Sequence, residues 1–225
     1  MKLYFNPKSR AVIAKWMLDE CGADYEIVPI DFEKLEHKAP EFLKINPAGK
    51  LPALVDGDSK IFEGAAICLY LGDKFSTANL APRIGAPERG RYLSLMVYST
   101  SQLEPAMGDA LLGGSTAAPQ RGWTDFETVK NVIEGELGNG PYLFGDWFTA
   151  ADVMIGSMFV WKRMWGGPGW GRPQGVSGRR RGTGAWPRGV LGACPTPECE
   201  DAGPWTGATR RRVAGRCLAP CPEEL

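Results

Sequence analysis

Near residue 165 the sequence changes its habit, and that break decides where a folded domain can lie. Residues 166–225 hold 13 of the 29 glycines, 8 of the 18 prolines, 4 of the 6 cysteines and nine arginines, with no Lys, Ile, Phe, Tyr, Met, Asn or His. Before the break, lysine outnumbers arginine 11 to 6. Gly and Pro every few residues interrupt helix and strand alike, and no helical or strand period survives. Too few large aliphatic side chains remain to offset the entropy of ordering the chain. The segment is therefore expected to be irregular. Gly, Arg, Pro, Ala, Trp and Cys are also what a GC-rich gene yields in the wrong frame. We read residues from about 166–168 onward as a frameshifted or mis-called end. The DNA over codons 160–225 checks this: if no neighbouring frame there encodes amphipathic helix, the reading fails.

A chain of 225 residues allows one large domain or two small ones, each with a core. Lysine plus arginine and aspartate plus glutamate are both 26, so net charge gives no reason to expect a nucleic acid or an anionic membrane as partner. No apolar run reaches the roughly 18–20 residues of a membrane span. The opening Met-Lys-Leu-Tyr-Phe meets Asn6-Pro7 too early for a signal-peptide core. The expectation is a cytoplasmic protein with reduced thiols. His37 is the single histidine, which argues against a multi-histidine metal site or a histidine-based triad. Between Glu36 and Lys38 it is expected in solvent. Cys21 and Cys68 have apolar neighbours and read as small core residues. Cys194, Cys199, Cys217 and Cys221 lack the tight CxxC knuckle of structural zinc sites, so no metal is expected. The triplets Arg179–Arg181 and Arg210–Arg212 lie in the irregular segment and are not taken as a nucleic-acid surface.

The first 75 residues alternate strand and helix. Lys2–Phe5 reads as a strand, stopped by Asn6-Pro7, and a helix follows with Ser9 able to cap it and Gly22 just past its end. Val12, Ile13, Trp16, Met17 and Leu18 supply its apolar face. Tyr25–Val28 alternates as a strand, Pro40–Ile45 is a short polar helix, and Asn46–Gly49 is a turn. Pro52–Val55 and Lys60–Phe62 form a hairpin about Asp56-Gly57-Asp58, and Gly64–Phe75 is helical. After a linker at Thr77–Ala86 the pattern becomes purely helical. Glu88–Leu112 reads as one long helix with Tyr92, Met96, Leu103, Met107 and Leu111 on a stripe. Trp123–Leu137 is a second helix. A third runs from Thr149 to about Met164, with Thr149 and Asp152 as a capping box.

Four stretches now carry a resemblance: KLYFNPKSRAVIAKW at 2–16, NPAGKLPALV at 46–55, FEGAAICLY at 62–70 and YLFGDWFTAADVM at 142–154. In this order and at these separations the chain resembles the cytosolic glutathione S-transferase family, in its bacterial form with a serine-containing N-terminal motif. The resemblance covers about residues 1–165. It implies an α/β plus all-α architecture: a thioredoxin-like domain over 1–78 that binds glutathione, then a helical domain over 87–165, truncated by the segment 166–225. It also implies a homodimer, a glutathione co-substrate, a small hydrophobic electrophile and a detoxifying transferase activity.

Conjugation needs a thiol ionised near neutral pH, a held peptide and an apolar place for the electrophile. A free thiol has a pKa of about 8.5 and its thiolate is the nucleophile. Ser9, just past the first strand at a helix start, is placed to donate a hydrogen bond to that thiolate. Tyr4 is the alternative hydroxyl, and Arg10 adds positive potential. Leu51-Pro52 resembles the family's cis-proline dipeptide, with the Leu51 main chain facing the cysteinyl part of glutathione and Lys50 near the glycyl carboxylate. Glu63 falls where the family has an acidic residue for the γ-glutamyl ammonium. The next residue is usually Ser, and here it is Gly64. Loss of that hydroxyl is worth roughly 1.5–3 kcal/mol, so weakened glutathione binding is expected. A catalytically silent, dimeric binding module of the same fold is the second reading. If the segment beyond 166 replaces the family's last helices, the apolar faces of Trp123–Leu137 and Thr149–Met164 are expected to lose partners, and stability to fall.

Overall fold

The computed structural model describes residues 1–113 and 121–165, all of which fall within one compact unit. The readings of residues 166–225, including the four cysteines, the arginine triplets and the frame, lie outside the described residues.

The N-terminal half is a four-stranded mixed sheet in the order β2-β1-β3-β4. Strand β1 (Lys2–Phe5) leads into helix α1 (Ala11–Glu20), which crosses over to β2 (Glu26–Pro29), parallel to β1 with Leu3 opposite Ile27. Helix α2 (Pro40–Leu43) follows a single 3-10 turn at Glu36–Lys38. The hairpin β3 (Ala53–Asp56) and β4 (Ser59–Phe62) then adds antiparallel, with Leu3 opposite Leu54. Helix α3 (Gly64–Lys74) closes the half. This is the expected thioredoxin-like succession of elements.

Local chemistry accounts for the boundaries. In α1, Ser9 Oγ accepts from the Ala11 N–H, and at the far end Gly22, at φ 61°, lets the Ala23 N–H reach back to the Leu18 carbonyl. The buried face of α1 is Ala11, Ile13, Ala14, Met17 and Leu18, with Trp16 and Val12 at its margin. Leu3, Met17, Leu18, Leu54, Ile67 and Leu71 pack between sheet and helices. The same apolar cluster continues into the helical half through Tyr92, Met96, Leu103 and Ile133.

The helical half corrects three expectations. The run from 89 to 112 is one continuous rod but not one uniform α-helix: α4 (Arg89–Tyr98) passes through a π-helical turn at Ser99–Leu103 into α5 (Glu104–Leu112). Pro105 explains the widening, because it has no N–H and its ring would collide with the Ser101 carbonyl in regular α geometry. The wider turn rotates the residues downstream of it. Tyr92, Met96 and Leu103 stay buried, but Ala106 takes over the inner line, Met107 is half-buried and Leu111 is 46% exposed. Helix α6 (Phe126–Leu137) starts three residues later than the pattern predicts, because Asp125 accepts from the Thr128 N–H and fixes the cap there. Exposure is also less than expected: every residue from Ala150 to Met158 in α7 (Ala150–Trp165) is buried, and in α6 Val129 and Ile133 are buried while Val132 is 40% exposed.

The predicted capping box at α7 forms. Asp152 Oδ2 accepts from the Thr149 N–H at 2.9 Å and the Thr149 hydroxyl at 3.1 Å, and Thr149 Oγ1 accepts from the Ala151 N–H at 3.3 Å. Asp152 Oδ1 also takes the Leu143 N–H at 2.8 Å, pinning the preceding loop. His37 departs from expectation: it is half-buried, its ring packs edge-on against Phe32, and its Nδ1 is shielded from water. Cys68 is buried and Cys21 half-buried, both with their thiol pKa raised by burial, that of Cys21 to about 11.

Candidate active site

The turn before β3 is built around a buried amide. Asn46, 1% exposed, donates from Nδ2 to the Lys50 carbonyl at 2.8 Å, and its Oδ1 accepts from the Ala48 N–H at 3.0 Å. Gly49, at φ 60°, donates to the Asn46 carbonyl, and a side chain there would strike Lys38 and the His37 carbonyl. This scaffold delivers Leu51 and the cis peptide bond to Pro52. Among the described residues, neither the Leu51 N–H nor its carbonyl has a hydrogen-bond partner.

A second irregular point lies opposite. Glu63 precedes α3 with φ 70° and ψ 126°, a conformation that a residue with a side chain adopts only at a cost of about 1–3 kcal/mol. Its carboxylate is exposed, makes no cap bond to α3, and has no ion pair among the described residues. The first N–H groups of α3, from Gly64 on, have no acceptor within their own helix.

These two points frame an open cleft. It gathers Arg10, Lys50, Leu51, Pro52, Glu63 and Gly64, which are six of the eight residues singled out from the sequence. The helical half contributes Thr100 and Glu104 at the rim and Met154 and Met158 as an apolar floor, with Ile13 beside them. Asn46 lines it as well. None of these last six was found from the sequence. For Thr100 and Glu104, Pro105 was the available signal. For the two methionines, four residues apart on α7, only tertiary packing reveals the role.

The two candidate hydroxyls sit elsewhere. Ser9 does not line the cleft: it is 8% exposed, and its hydroxyl donates to the Asn6 carbonyl at 2.7 Å while accepting from the Ala11 N–H at 3.1 Å. Tyr4 packs edge-on against Phe42, with ring centroids 5.6 Å apart, in the smaller apolar cluster under α2. Arg10, next to Ser9, reaches across the cleft to form an ion pair with Glu104. Lys50 is exposed and unpaired among the described residues. These residues form no group of three His, Cys, Asp or Glu side chains able to hold a metal, among the described residues.

A chain with this fold matches known proteins. The family model for the glutathione S-transferase N-terminal domain matches residues 1–73. Glutathione S-transferase 3 of Zea mays is 33% identical over 164 residues, covering 68% of this chain and 74% of the relative. Glutathione S-transferase 1 of Zea mays is 37% identical over 147 residues, covering 60% and 68%. Among solved structures, the ternary complex of BphK, a bacterial glutathione S-transferase, superposes with a TM-score of 0.60 at 26% identity over 73% of this chain and 84% of that one. A sphingomonad glutathione S-transferase complexed with glutathione gives 0.58 at 28% identity over 74% and 84%. The chain belongs to the glutathione S-transferase family, a family of transferases.

Proposed function

We propose that this protein joins the sulfur of glutathione to a small hydrophobic electrophile, with residues 1–78 holding the tripeptide and residues 87–165 supplying the acceptor's wall. The observation that carries the reading is the convergence of six expected residues on one cleft, around a Leu51 main chain with both hydrogen-bonding groups open.

In this reading the Leu51 N–H and C=O pair with the cysteinyl residue, and Lys50 meets the glycyl carboxylate. Glu63 pairs with the γ-glutamyl ammonium, while the first N–H groups of α3 receive the carboxylate beside it. The thiolate attacks the electrophilic carbon, forming the C–S bond as the leaving group departs with its electron pair. The same thiolate can serve dehalogenation or peroxide reduction. Ile13, Met154 and Met158 give the acceptor an apolar surface that adapts through flexible thioethers.

Ser9 must turn its hydroxyl from Asn6 to the sulfur to serve the thiolate. The hydrogen-bond pattern permits this. The Asn6 carbonyl also accepts the Ser9 N–H at 3.0 Å, so it keeps a partner when the hydroxyl leaves, and Ser9 Oγ can still accept from Ala11. Ser9 stabilises the anion and takes no proton. Tyr4 is the competing hydroxyl. The protein is proposed to act in the cytoplasm, in detoxification, as a homodimer. Phe62 on β4 and Leu93 and Val97 on α4, 41%, 38% and 57% exposed, are the apolar side chains offered for that association.

Glutathione-affinity capture followed by a conjugation assay tests the reading. Ser9→Ala is expected to raise the pKa of the bound thiol and slow conjugation about 10–100-fold, the worth of one hydrogen bond to a charged group, while Tyr4→Phe leaves both nearly unchanged. Capture without turnover identifies the silent binding module instead. An effect of Tyr4→Phe with none for Ser9→Ala transfers the role to Tyr4.

A further inference from the structure

Thr100 and Glu104 at the rim of the cleft, and Met154 and Met158 on its floor, come from the helical half. Among these described residues no side chain has a hydrogen-bond donor to spare. Thr100 is half-buried, and its hydroxyl gives its one proton to the Val97 carbonyl at 3.1 Å, as a threonine inside a helix does. Its lone pairs stay open. The Glu104 carboxylate accepts only, at about four lone-pair positions, and its ion pair with Arg10 engages one oxygen, Oε1. The methionine sulfurs are weak acceptors at most. Thr100 and Glu104 stand four residues apart on the run through the π turn, so the two acceptors share a face.

The other wall has the opposite sense. The thioredoxin-like half brings the Lys50 ammonium, the Leu51 N–H and the first N–H groups of α3, together with the Glu63 carboxylate. That mixture suits a peptide carrying both signs of charge. The Asn46 side chain is spent on the Lys50 carbonyl and the Ala48 N–H. Once the peptide is seated, the polar groups facing a second substrate from the helical side are acceptors. An electrophile whose polar group can only accept would give up water there and meet lone pairs, which costs affinity. One bearing an O–H or N–H exchanges water for a protein oxygen.

We propose that the electrophile this protein conjugates carries a hydrogen-bond donor, an O–H or N–H on an apolar body, and that Thr100 and Glu104 select for it. The proposal rests on the glutathione reading above. The apolar body lies on Ile13, Met154 and Met158, and the donor reaches the rim. Because the Glu104 side chain is 28% exposed, water competes for the contact. The expected preference is therefore about 5–20-fold, below that of a fully buried bond to a charged group.

The test uses two benzyl chlorides of nearly equal reactivity, one with a hydroxymethyl and one with a methoxymethyl group on the ring. In each, the glutathione sulfur forms a bond to the benzylic carbon and chloride leaves with the electron pair. Conjugate formation is measured as kcat/KM and divided by the uncatalysed rate. The wild-type protein should favour the hydroxymethyl probe about 5–20-fold. Thr100→Val removes one acceptor at nearly constant volume and should lower that ratio about 2–5-fold. Glu104→Gln places a donor at the rim and should bring the ratio close to one, partly by improving the methoxymethyl probe. Thermal melting checks that each variant is folded, and glutathione affinity is measured by calorimetry. A fall in only one variant supports the proposal and assigns the contact to that residue. A wild-type ratio within twofold of one, or a high ratio that neither variant lowers, overturns the proposal with the glutathione reading intact. A wild-type protein that binds glutathione and converts neither probe also overturns it, and one that binds no glutathione overturns both.

Discussion

Two helix starts in this molecule are built in opposite ways. At α7 every polar group is answered: Thr149 and Asp152 cap each other, Asp152 also holds the Leu143 N–H, and both side chains are at most 1% exposed. At α3 the residue before the helix is strained, its carboxylate makes no cap bond, and the first N–H groups face an open cleft. A satisfied, buried start specifies the fold. An open start, kept at a cost in backbone strain, is available to a ligand. The sequence marks the first as a capping box and the second only as an acidic residue before a helix, and the destination of each carboxylate agrees with that difference.

The contrast breaks first at Asp152. Replacement by Ala should destabilise the protein by about 3–5 kcal/mol, since three buried donors lose their acceptor, and Asn should cost about 1–3 kcal/mol because one oxygen cannot serve both sides. Chemical denaturation measures both, and glutathione affinity of the surviving folded fraction should hold. Glu63→Gln is the mirror experiment. Glutathione affinity should fall about 10–100-fold as a charged pair becomes neutral, with the denaturation midpoint unmoved. If Glu63→Gln destabilises the fold instead, the two starts are not different in kind.

Gly64→Ser sharpens the contrast from the binding side. A β-carbon at Gly64 would meet only the Met154 methyl, at 3.9 Å, so serine fits without strain. The added hydroxyl should tighten glutathione binding about tenfold in calorimetry, the lower end for a hydrogen bond to a charged group. The smallest effect is a pH slope that separates two capping aspartates. Burial raises the Asp152 carboxyl, against the bonds from Leu143 and Thr149, so the folded protein binds that proton more tightly than the unfolded chain. Its contribution to stability is present below about pH 3.9 and is lost as pH rises through its folded value. Asp125, at the start of α6, is lowered by the Thr128 hydroxyl and N–H, so its contribution is present above about pH 3.9 and is lost as pH falls through its folded value. Subtracting the stability–pH curves of Asp152→Asn and Asp125→Asn from that of the wild type should give opposite slopes.

What the residues announced and what they hid divides along the same line. Ser9, Gly22, Thr149 and Asp152 act on neighbours within a few positions, so their roles were readable. The turn at Asn46–Gly49 and the dipeptide Leu51-Pro52 were readable for the same reason. The π turn was not, although Pro105 marks it, because Met107 and Leu111 keep a regular helical spacing in the sequence while the extra residue turns them off the buried line. Glu104, Met154 and Met158 enter the site through packing between distant segments, which no local pattern encodes. The direction of the Ser9 hydroxyl, which donates to the Asn6 carbonyl, depends on a rotation about one bond that no local pattern fixes. His37 looked solvated from its charged neighbours, yet Phe32 shields it.

The cleft's floor is also the spine of the molecule. Met154 and Met158 lie on α7, whose first nine residues are all buried and whose start is tied by the Thr149–Asp152 capping box. Any change that reshapes this floor is therefore a change in the middle of the protein, and it has to proceed against loss of the native state. The rim is different. Thr100 and Lys50 are less enclosed and carry little of the packing, so lineages of this protein are free to diversify there first and to revise the floor only after gaining stability elsewhere.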